Sequence, residues 1–291
     1  MASHNNVQNV NDLDDPIVKK AFKFFCRHLV AIAGSWIEVD TKGNPVGKPT
    51  PFSYSGFVVS VRGSWMIATA GHILYDFDKN APRIKVGPCH IYDCFGPRPI
   101  SNYPIPLNFD DAPKFYVHQD DSKLRLGAEL GVDLGLIALN SNQVQLLEAN
   151  GIVPYTEMEM KMAGGEKLKS HIVIGFPTSL QKLTLLDDGR VAIALSPTIA
   201  GVDEMDHPPS DLTETEYPRF VGQLLENSNV DIEGMSGGPI IGFSPDRSRY
   251  WVVAIQSKWL EKRKITFGCP MPVLLSIIEN EIQRSEDQPA D

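Results

Sequence analysis

The chain has 291 residues, of which 42% are hydrophobic and 22% charged, a balance typical of a soluble globular protein that can bury a sizeable core. Its formal net charge of −9 at pH 7 argues against nucleic acid as the main partner, because phosphate binding needs a basic surface. No run approaches the roughly 18 apolar residues of a membrane helix, and the short apolar stretch at 29–33 begins too late for a signal peptide. We expect a cytoplasmic protein with no nucleic-acid or membrane partner.

The four cysteines do not have the spacing of a disulfide framework. Cys89-His90-x3-Cys94 resembles half of a zinc site, but no second Cys/His pair lies downstream of it. We expect free thiols at Cys26, Cys89, Cys94 and Cys269, which suits a reducing compartment. The sequence predicts no metal site and no cofactor.

The first 28 residues are predicted to form an arm and a short helix. Residues 1–15 are polar and acidic, and Asp14-Asp15-Pro16 is a typical helix start, with capping carboxylates before a proline in the first turn. Ile17, Phe24 and other apolar residues then share one side at helical spacing. We expect this amphipathic helix to pack on the body of the protein rather than on a membrane or a partner.

From Leu29 onward, short segments rich in Val, Ile and aromatic residues are separated by Gly/Pro turn clusters, a pattern that predicts β-strands. The predicted strands are Leu29–Val39, Ser55–Val61, Trp65–Ala70, Arg83–Val86, Leu134–Leu139, His171–Ile174, Lys182–Leu186, Val191–Leu195, Phe220–Leu225, Pro239–Phe243 and Tyr250–Gln256. Asp187-Asp188-Gly189 between two of them predicts a hairpin turn. Many short strands without alternating long helices indicate an all-β sandwich or barrel.

Two stretches lack a strand pattern. The proline-rich segment 88–121 and the acidic segment 203–218 are predicted to be long loops, which in compact domains are often functional. Near the end of the chain, residues 272–284 place Val273, Leu274 and Ile277 at helical spacing, so we expect a C-terminal helix there.

The segment Gly234-Met235-Ser236-Gly237-Gly238-Pro239 surrounds a serine with glycines, which is the setting a nucleophilic serine needs. The glycines permit a tight turn in which the N–H groups of Gly234 and Ser236 converge on a developing oxyanion. The same pattern also matches the nucleophile elbow of α/β hydrolases, but there Asp and His follow the serine. Every histidine here precedes Ser236, so that fold is excluded. The seven are His4, His28, His72, His90, His118, His171 and His207.

His72 is the strongest candidate for the base that activates this serine. It follows the predicted strand Trp65–Ala70 among small residues that leave room around an imidazole. Asp133 begins an apolar run, where a partly buried carboxylate needs a partner such as an imidazole N–H. A satisfied core histidine and a strand-start cap are the structural alternatives, and Asp76, four residues after His72, fits a solvated residue better. The order His, Asp, Ser is that of one protease fold and not of subtilisin.

These segments together resemble the chymotrypsin-like (trypsin-like) serine proteases, and most closely the disulfide-free intracellular type of the HtrA-like protease domain. The resemblance rests on Ser55–Val59 with Ile67–His72, on Asp133–Leu136, on the serine segment, and on Ala254-Ile255-Gln256-Ser257 as the following strand. It implies two six-stranded antiparallel β-barrels, the first over 29–145 and the second over 146–270. The N-terminal arm and helix (1–28) and the C-terminal helix and tail (271–291) flank them.

The resemblance also implies roles for individual residues. His72 would be the general base and acid, Asp133 its orienting partner and Ser236 the nucleophile, with the backbone of Gly234 and Ser236 as oxyanion hole. Asp231, Gln256 and Ser257 would contact substrate, and Asp231 would either favour a basic P1 residue or be a solvated loop acid. Met235 stands where zymogen-type members carry an aspartate, so activation by N-terminal cleavage is not expected.

The expected function is that of a serine endopeptidase acting on a protein or peptide. A protease-fold regulatory or binding module, with conditional or lost catalysis and a regulatory partner or oligomeric assembly, is the alternative that the long loops at 88–121 and 203–218 and the N-terminal helix suggest. An esterase or acyltransferase using the same three residues is a third hypothesis.

Overall fold

The computed structural model describes residues 16–81, 83–93, 105–109, 111–118, 131–162, 168–186, 191–212, 215, 217–226 and 231–287. We call β1 to β9 the first module: β1 (Leu29–Val39), β2 (Pro45–Val61), β3 (Ser64–Thr69), β4 (Ile84–Val86), β5 (Cys89–Tyr92), β6 (Ile105–Leu107), β7 (Lys114–Val117), β8 (Leu134–Ala138) and β9 (Tyr155–Thr156). The second module contains β10 (Ser170–Gly175), β11 (Lys182–Leu185), β12 (Val191–Ala194), β13 (Thr198–Glu204), β14 (Phe220–Leu224), β15 (Pro239–Phe243), β16 (Tyr250–Leu260) and β17 (Ile265–Pro270). The α-helices of the described residues are α1 (Pro16–Cys26), α2 (Gly71–Asn80), α3 (Ser141–Ala149), α4 (Glu157–Met160) and α5 (Met271–Asp287).

The first module is a nine-stranded sheet in the order β6-β5-β1-β2-β3-β8-β7, with β4 paired to β1 and β9 paired in parallel to β2. Alternate residues of its strands enter two different apolar clusters. Phe57 and Val59 of β2 lie in one cluster, whereas Val58 lies in the other with Val30 and Ile32 of β1. The sheet is therefore buried on both faces, which explains why these strands are continuous apolar runs.

The second module is a closed antiparallel barrel in the order β10-β13-β14-β17-β16-β15, and β11 and β12 form a separate two-stranded sheet. Val173, Val202, Ile240 and Ala254, each from a different strand, pack in one buried cluster. Closure removes free strand edges, and the interior is filled by side chains as in other small barrels.

The expectation of a β-rich fold is confirmed, and so is a closed six-stranded barrel in the C-terminal half. The expectation of a matching six-stranded barrel in the first half is wrong for the described residues: the sheet there has nine strands, and its outer strands β6 and β7 do not pair with each other. The sheet also takes in β9 at 155–156, beyond the expected boundary at 145.

Strands β5, β6 and β7 lie inside 88–121, for which the sequence predicts a loop. They are three or four residues long, and β6 carries Pro106, which its position at the sheet edge tolerates because an edge strand does not need every N–H for pairing. Likewise β13 extends to Glu204, so the acidic segment begins as a strand. The hairpin expected at 187–189 lies outside the described residues, although the flanking β11 and β12 do pair.

One apolar cluster joins the two modules. It contains Phe25 from α1, Phe57 from β2, Ile241 from β15 and Leu274 from α5. The N-terminal helix therefore packs on the body of the protein, as its amphipathic pattern predicts. No helix among the described residues is long and apolar enough to cross a membrane. Cys26 and Cys269 are buried free thiols, Cys89 is a buried cysteine, and Cys94 lies outside the described residues.

Candidate active site

His72 is the second residue of α2, which starts directly after β3. Ala70, the single residue between β3 and α2, has an extended conformation at φ −76° and ψ 142°, and the helix begins at Gly71. A β-carbon at Gly71 would lie 2.0 Å from the carbonyl oxygen of Val117 and 2.6 Å from that of Leu134. Only glycine lets the start of the helix pack this closely on β7 and β8. This packing brings His72 to Asp133, the residue that precedes β8.

Asp133 holds His72 at two points. Its Oδ1 accepts a hydrogen bond from the backbone N–H of His72 at 2.7 Å, and its Oδ2 lies 2.8 Å from His72 Nδ1. Asp133 is only 4% exposed, whereas the side chain of His72 is 30% exposed. The pair therefore has the form of a buried carboxylate that orients an imidazole whose other nitrogen is available to solvent or substrate.

The carboxylate of Asp133 is stabilised as an anion. Burial alone would raise its pKa, but hydrogen bonds from His118 and His72 outweigh that effect and hold the pKa below its ordinary value. Behind it, the backbone of Asp133 hydrogen-bonds to the sulfur of Cys269 on β17, and burial raises the pKa of that thiol to about 12. Cys269 is thus an inert thiol that joins the barrel to the aspartate.

His118 is a second histidine in contact with Asp133, and the sequence did not predict a role for it. Its Nδ1 lies 3.4 Å from Asp133 Oδ1. It comes directly after β7, whose register pairs Val117 with Leu134, so the next residues, His118 and Asp133, stand opposite each other. The sequence predicts a loop over this segment, and only the recognition of β7 as a strand reveals the contact.

The serine segment forms a compact turn with two residues in the left-handed region, Gly234 at φ 85° and Gly237 at φ 92°. Inside the turn, the N–H of Met235 donates to the carbonyl of Ile232 at 3.1 Å, and the N–H of Gly238 donates to that of Met235 at 2.9 Å. Met235 is fully buried, while Ser236 is half-buried. The glycines are required here by backbone conformation, as the sequence predicts.

This turn lies against the end of β3, next to the start of the His72 helix. A β-carbon at Gly237 would lie 2.3 Å from both the Ser55 carbonyl oxygen and Thr69 Oγ1, and 3.1 Å from the N of Ala70. Ser236 and His72 are thus on two segments in direct contact. No hydrogen bond joins their side chains within the described structure, and such bonds are often long without substrate.

Neighbouring groups fix the peptide planes of the proposed oxyanion hole. The carbonyl of Glu233 accepts from the N–H of Thr178 at 2.7 Å, and the carbonyl of Met235 accepts from Gly238. In a trans peptide the N–H points opposite to the carbonyl, so the N–H groups of Gly234 and Ser236 are both directed away from these anchors. The two donors therefore have fixed orientations before any substrate arrives, which is what electrostatic preorganisation requires.

Ser55, on β2, connects the two modules at this turn. Its hydroxyl donates to the carbonyl of Gly234 at 3.1 Å and accepts from the N–H of Phe176, just after β10, at 3.0 Å. Its own carbonyl accepts from Thr69 Oγ1 at 2.8 Å. The sequence placed Ser55 only within a strand motif and gave no signal for this contact, because the partners in the second module are distant along the chain.

The three residues expected to contact substrate differ in their surroundings. Asp231 is exposed and its Oδ1 accepts from the N–H of Glu233, as a turn-stabilising acid does. Gln256 is fully buried, and its backbone exchanges two 2.8 Å hydrogen bonds with Gly237 and Gly238. Ser257 is buried and donates weakly, at 3.4 Å, to the carbonyl of Phe267. Their role toward substrate stays a prediction.

Part of the acidic segment 203–218 reaches the neighbourhood of Asp133. A β-carbon at Gly131, two residues before Asp133, would lie 2.5 Å from the Tyr217 carbonyl oxygen and 2.8 Å from Thr215 Cβ. Elsewhere in the segment, Arg263 pairs with Asp211 through two hydrogen bonds of 2.8 and 3.2 Å. The described side chains include no cluster of three or more His, Cys, Asp or Glu that could hold a metal ion.

No family model matches the chain, and no curated protein is similar to it. Among solved structures it is similar to the inactive form of a serine-to-alanine mutant of Rv3671c from M. tuberculosis H37Rv, at 12% identity and a TM-score of 0.39 over 96% of this chain and 95% of that one. It is also similar to a Glu endopeptidase in complex with MPD, at 13% identity and a TM-score of 0.44 over 87% and 90%. Likeness at this level assigns no residue its role, so the roles below are argued from the geometry of this chain.

Proposed function

We propose that this protein is a chymotrypsin-like serine endopeptidase. The observation that carries the proposal is the two-point contact between Asp133 and His72, placed against a glycine turn that presents Ser236. Acyl transfer needs a buried carboxylate, an imidazole with one nitrogen available, a hydroxyl and preoriented N–H groups. We propose the cytoplasm as its compartment and a protein or peptide as its substrate.

In the proposed mechanism, His72 Nε2 takes the proton of Ser236 Oγ as that oxygen attacks the carbonyl carbon of the scissile peptide bond. Asp133 keeps the proton on His72 Nδ1 and stabilises the imidazolium that forms. The N–H groups of Gly234 and Ser236 receive the oxyanion. The intermediate then collapses, the C–N bond breaks, and the leaving amine takes the proton from His72. Water, activated by the same imidazole, hydrolyses the acyl-enzyme ester.

A fluorophosphonate probe tests the nucleophile directly, because it reacts with activated serines. We expect one label on Ser236, no label on the Ser236→Ala protein, and slow labelling of His72→Gln. Ser244→Ala provides a matched control, since Ser244 is a buried serine with its own hydrogen-bond partners outside the turn. A folded wild-type protein that remains unlabelled, or that is labelled elsewhere, would contradict the proposal.

Turnover measurements distinguish peptidase from esterase activity. A proteome-derived peptide library incubated with wild type and with Ser236→Ala shows whether peptide bonds are cut, and the cleavage sites define the P1 residue. Cleavage that depends on Ser236 supports the endopeptidase. Turnover of activated esters without any peptide cleavage would favour an esterase or acyltransferase on the same residues.

Conditional catalysis is the second candidate, favoured by the contact between segment 203–218 and Gly131 next to Asp133. If a regulatory partner binds this segment, displacement of Tyr217 would alter the chain just before Asp133. Deleting 206–216 and measuring probe labelling tests this hypothesis. A labelling rate equal to that of wild type would count against regulation through this segment.

A further inference from the structure

His118 is a titratable side chain that lies against the proposed catalytic pair and has no role in the mechanism above. Its Nδ1 lies 3.4 Å from Asp133 Oδ1, and its side chain is 14% exposed. The ring is held in place: its centroid lies 4.8 Å from that of Tyr75, which is one turn after His72 on α2. The rings of His118 and His72 are 6.1 Å apart.

The donors around Asp133 are divided between its two oxygens. Oδ2 faces His72 Nδ1, while Oδ1 receives the backbone N–H of His72 and faces His118 Nδ1. A neutral imidazole can donate from Nδ1, so neutral His118 completes the hydrogen bonding of a buried anion. His118 is thus the third donor to the carboxylate. It restrains the carboxylate from rotating away from His72, because rotation would break both hydrogen bonds to Oδ1 in addition to the contact of Oδ2 with His72 Nδ1.

A protonated His118 would act differently. His72 gains a positive charge during the reaction, and Asp133 stabilises that charge. If His118 already carries a proton, two imidazolium rings share one carboxylate, and the second charge opposes the first. The titratable groups that face His118 include Asp133 before β8 and His72 and Tyr75 on α2, while Cys269 on β17 touches Asp133 from behind.

We propose that His118 is a positioning residue for the catalytic pair: when neutral, it holds Asp133 in the orientation that aligns His72, and when protonated it suppresses the reaction. The inference rests on the proposed endopeptidase function. On this proposal, protonation of His118 contributes to the loss of activity as the pH falls.

Two substitutions distinguish the hydrogen bond that His118 donates from the additional proton that it can bind. In His118→Asn, the amide nitrogen can replace Nδ1 as donor but does not titrate. In His118→Phe, the ring keeps its packing against Tyr75 but donates nothing. His207→Asn is the matched control, because His207 is exposed and belongs to the acidic segment. Each variant is checked for a thermal midpoint close to that of wild type.

For wild type and His207→Asn, we expect log kcat/KM to fall more steeply with decreasing pH than for His118→Asn. At pH 8 the kcat/KM of His118→Asn should be retained within about threefold. His118→Phe should lose about tenfold in kcat at pH 8 with little change in KM, as expected when one hydrogen bond to a charged group is removed. Superimposable profiles of wild type and His118→Asn would overturn the proposal, as would full activity of His118→Phe.

A measurement without turnover keeps this inference separate from the proposed function. In the Ser236→Ala protein, the Cε1–H signal of His72 is followed by NMR from pH 9 to pH 4. We expect the pH dependence of this signal to change when His118→Asn is added, because a proton on His118 alters the charge next to Asp133 and His72. An identical curve in both proteins overturns the role of His118 even if no substrate is ever found. If the two curves differ while the wild-type protein neither cleaves peptides nor reacts with the fluorophosphonate probe, the coupling is supported and the peptidase proposal is contradicted.

Discussion

The hydroxyl of Ser55 donates to the carbonyl of Gly234 across the boundary between the two modules, at 3.1 Å. It accepts from the N–H of Phe176 at the same time. One side chain of the first module therefore anchors both the serine turn and the end of β10 in the second. We expect the placement of Ser236, the proposed nucleophile, to depend on this anchor.

Replacing Ser55 by alanine should lower both stability and activity. The change leaves the buried N–H of Phe176 and the carbonyl of Gly234 without this partner, at a cost of about 1–3 kcal/mol. We expect kcat to fall about tenfold or more with a small change in KM. Ser53→Ala is the control, because the Ser53 hydroxyl is also buried on β2 but has no hydrogen-bond partner among the described residues. Denaturant titration and steady-state kinetics measure both effects, and equal results for the two variants would refute the anchor.

Replacing Gly237 by alanine should disrupt the serine turn. The residue has φ 92°, and a β-carbon would overlap the Ser55 carbonyl oxygen and Thr69 Oγ1, each 2.3 Å away. Gly43→Ala is the matched control, since Gly43 has φ 80° but no atom of the described residues within 4 Å of an added β-carbon. We expect about 1–2 kcal/mol of destabilisation for the control, with normal activity. Gly237→Ala should instead slow probe labelling by more than about a hundredfold, because misplacing a reacting group by about 1 Å is enough for a loss of that size.

Asparagine at position 133 should preserve the fold but not the chemistry. Its carbonyl oxygen can still accept from the backbone N–H of His72, whereas its NH2 group faces Nδ1 and forces the other tautomer of the imidazole. That tautomer carries its proton on Nε2 and cannot accept one from Ser236. We expect kcat to fall by about 10⁴ with an unchanged circular dichroism spectrum. Retained activity would mean that Asp133 does not orient the base.

His28 should make the protein less stable in mild acid. Burial, together with the charge of Arg27, lowers its pKa from 6.5 to about 3, although a hydrogen bond to the Val153 carbonyl opposes the shift. Arg27 Nε donates to His28 Nε2, and the ring stacks on Tyr155 at 3.8 Å, so the neutral form fits the fold.

Because the folded pKa of His28 lies below the unfolded one, the unfolded state binds more protons between pH 6.5 and pH 3, and stability falls as pH falls through that range. From about pH 6.5 to about pH 5 the loss is about 2 kcal/mol. His28→Asn keeps an N–H donor for Val153 but does not titrate, so its free energy of unfolding should be lower at pH 7 and vary less down to about pH 5. His207→Asn should retain the wild-type slope. Parallel curves for His28→Asn and wild type would contradict this assignment.

The sequence could predict the elements whose signal is local. The pairing of His72 with Asp133 follows from motif order and from their positions at the ends of apolar strands, and the glycines around Ser236 indicate a turn of unusual backbone conformation. The strand β7 carries no such signal. All four of its residues are partly buried, so the strand lacks the alternation between core-facing and solvent-facing residues that a sequence pattern would show. Its structure depends on pairing with β8, which begins only at Leu134, so the local sequence does not indicate the strand.

The same limit explains why the sequence does not reveal the roles of Ser55 and His118. A serine in a strand and a histidine after a short apolar run are common features, and only the folded chain shows which atoms face them. The strand pattern predicts only an all-β sandwich or barrel, and the closed six-stranded barrel was an expectation from the family resemblance. Neither predicts the open nine-stranded sheet. Short strands at its edges, one of them with a proline, are held by neighbours rather than by their own propensity.

The apolar cluster that contains Phe25, Phe57, Ile241 and Leu274 has a thermodynamic consequence. Because its members come from both modules and from both terminal helices, neither module can unfold without exposing the apolar surface of the other. The protein should therefore melt in one cooperative transition, with calorimetric and van't Hoff enthalpies in agreement. Fragments that contain a single module would leave this shared surface open to water and should aggregate rather than fold.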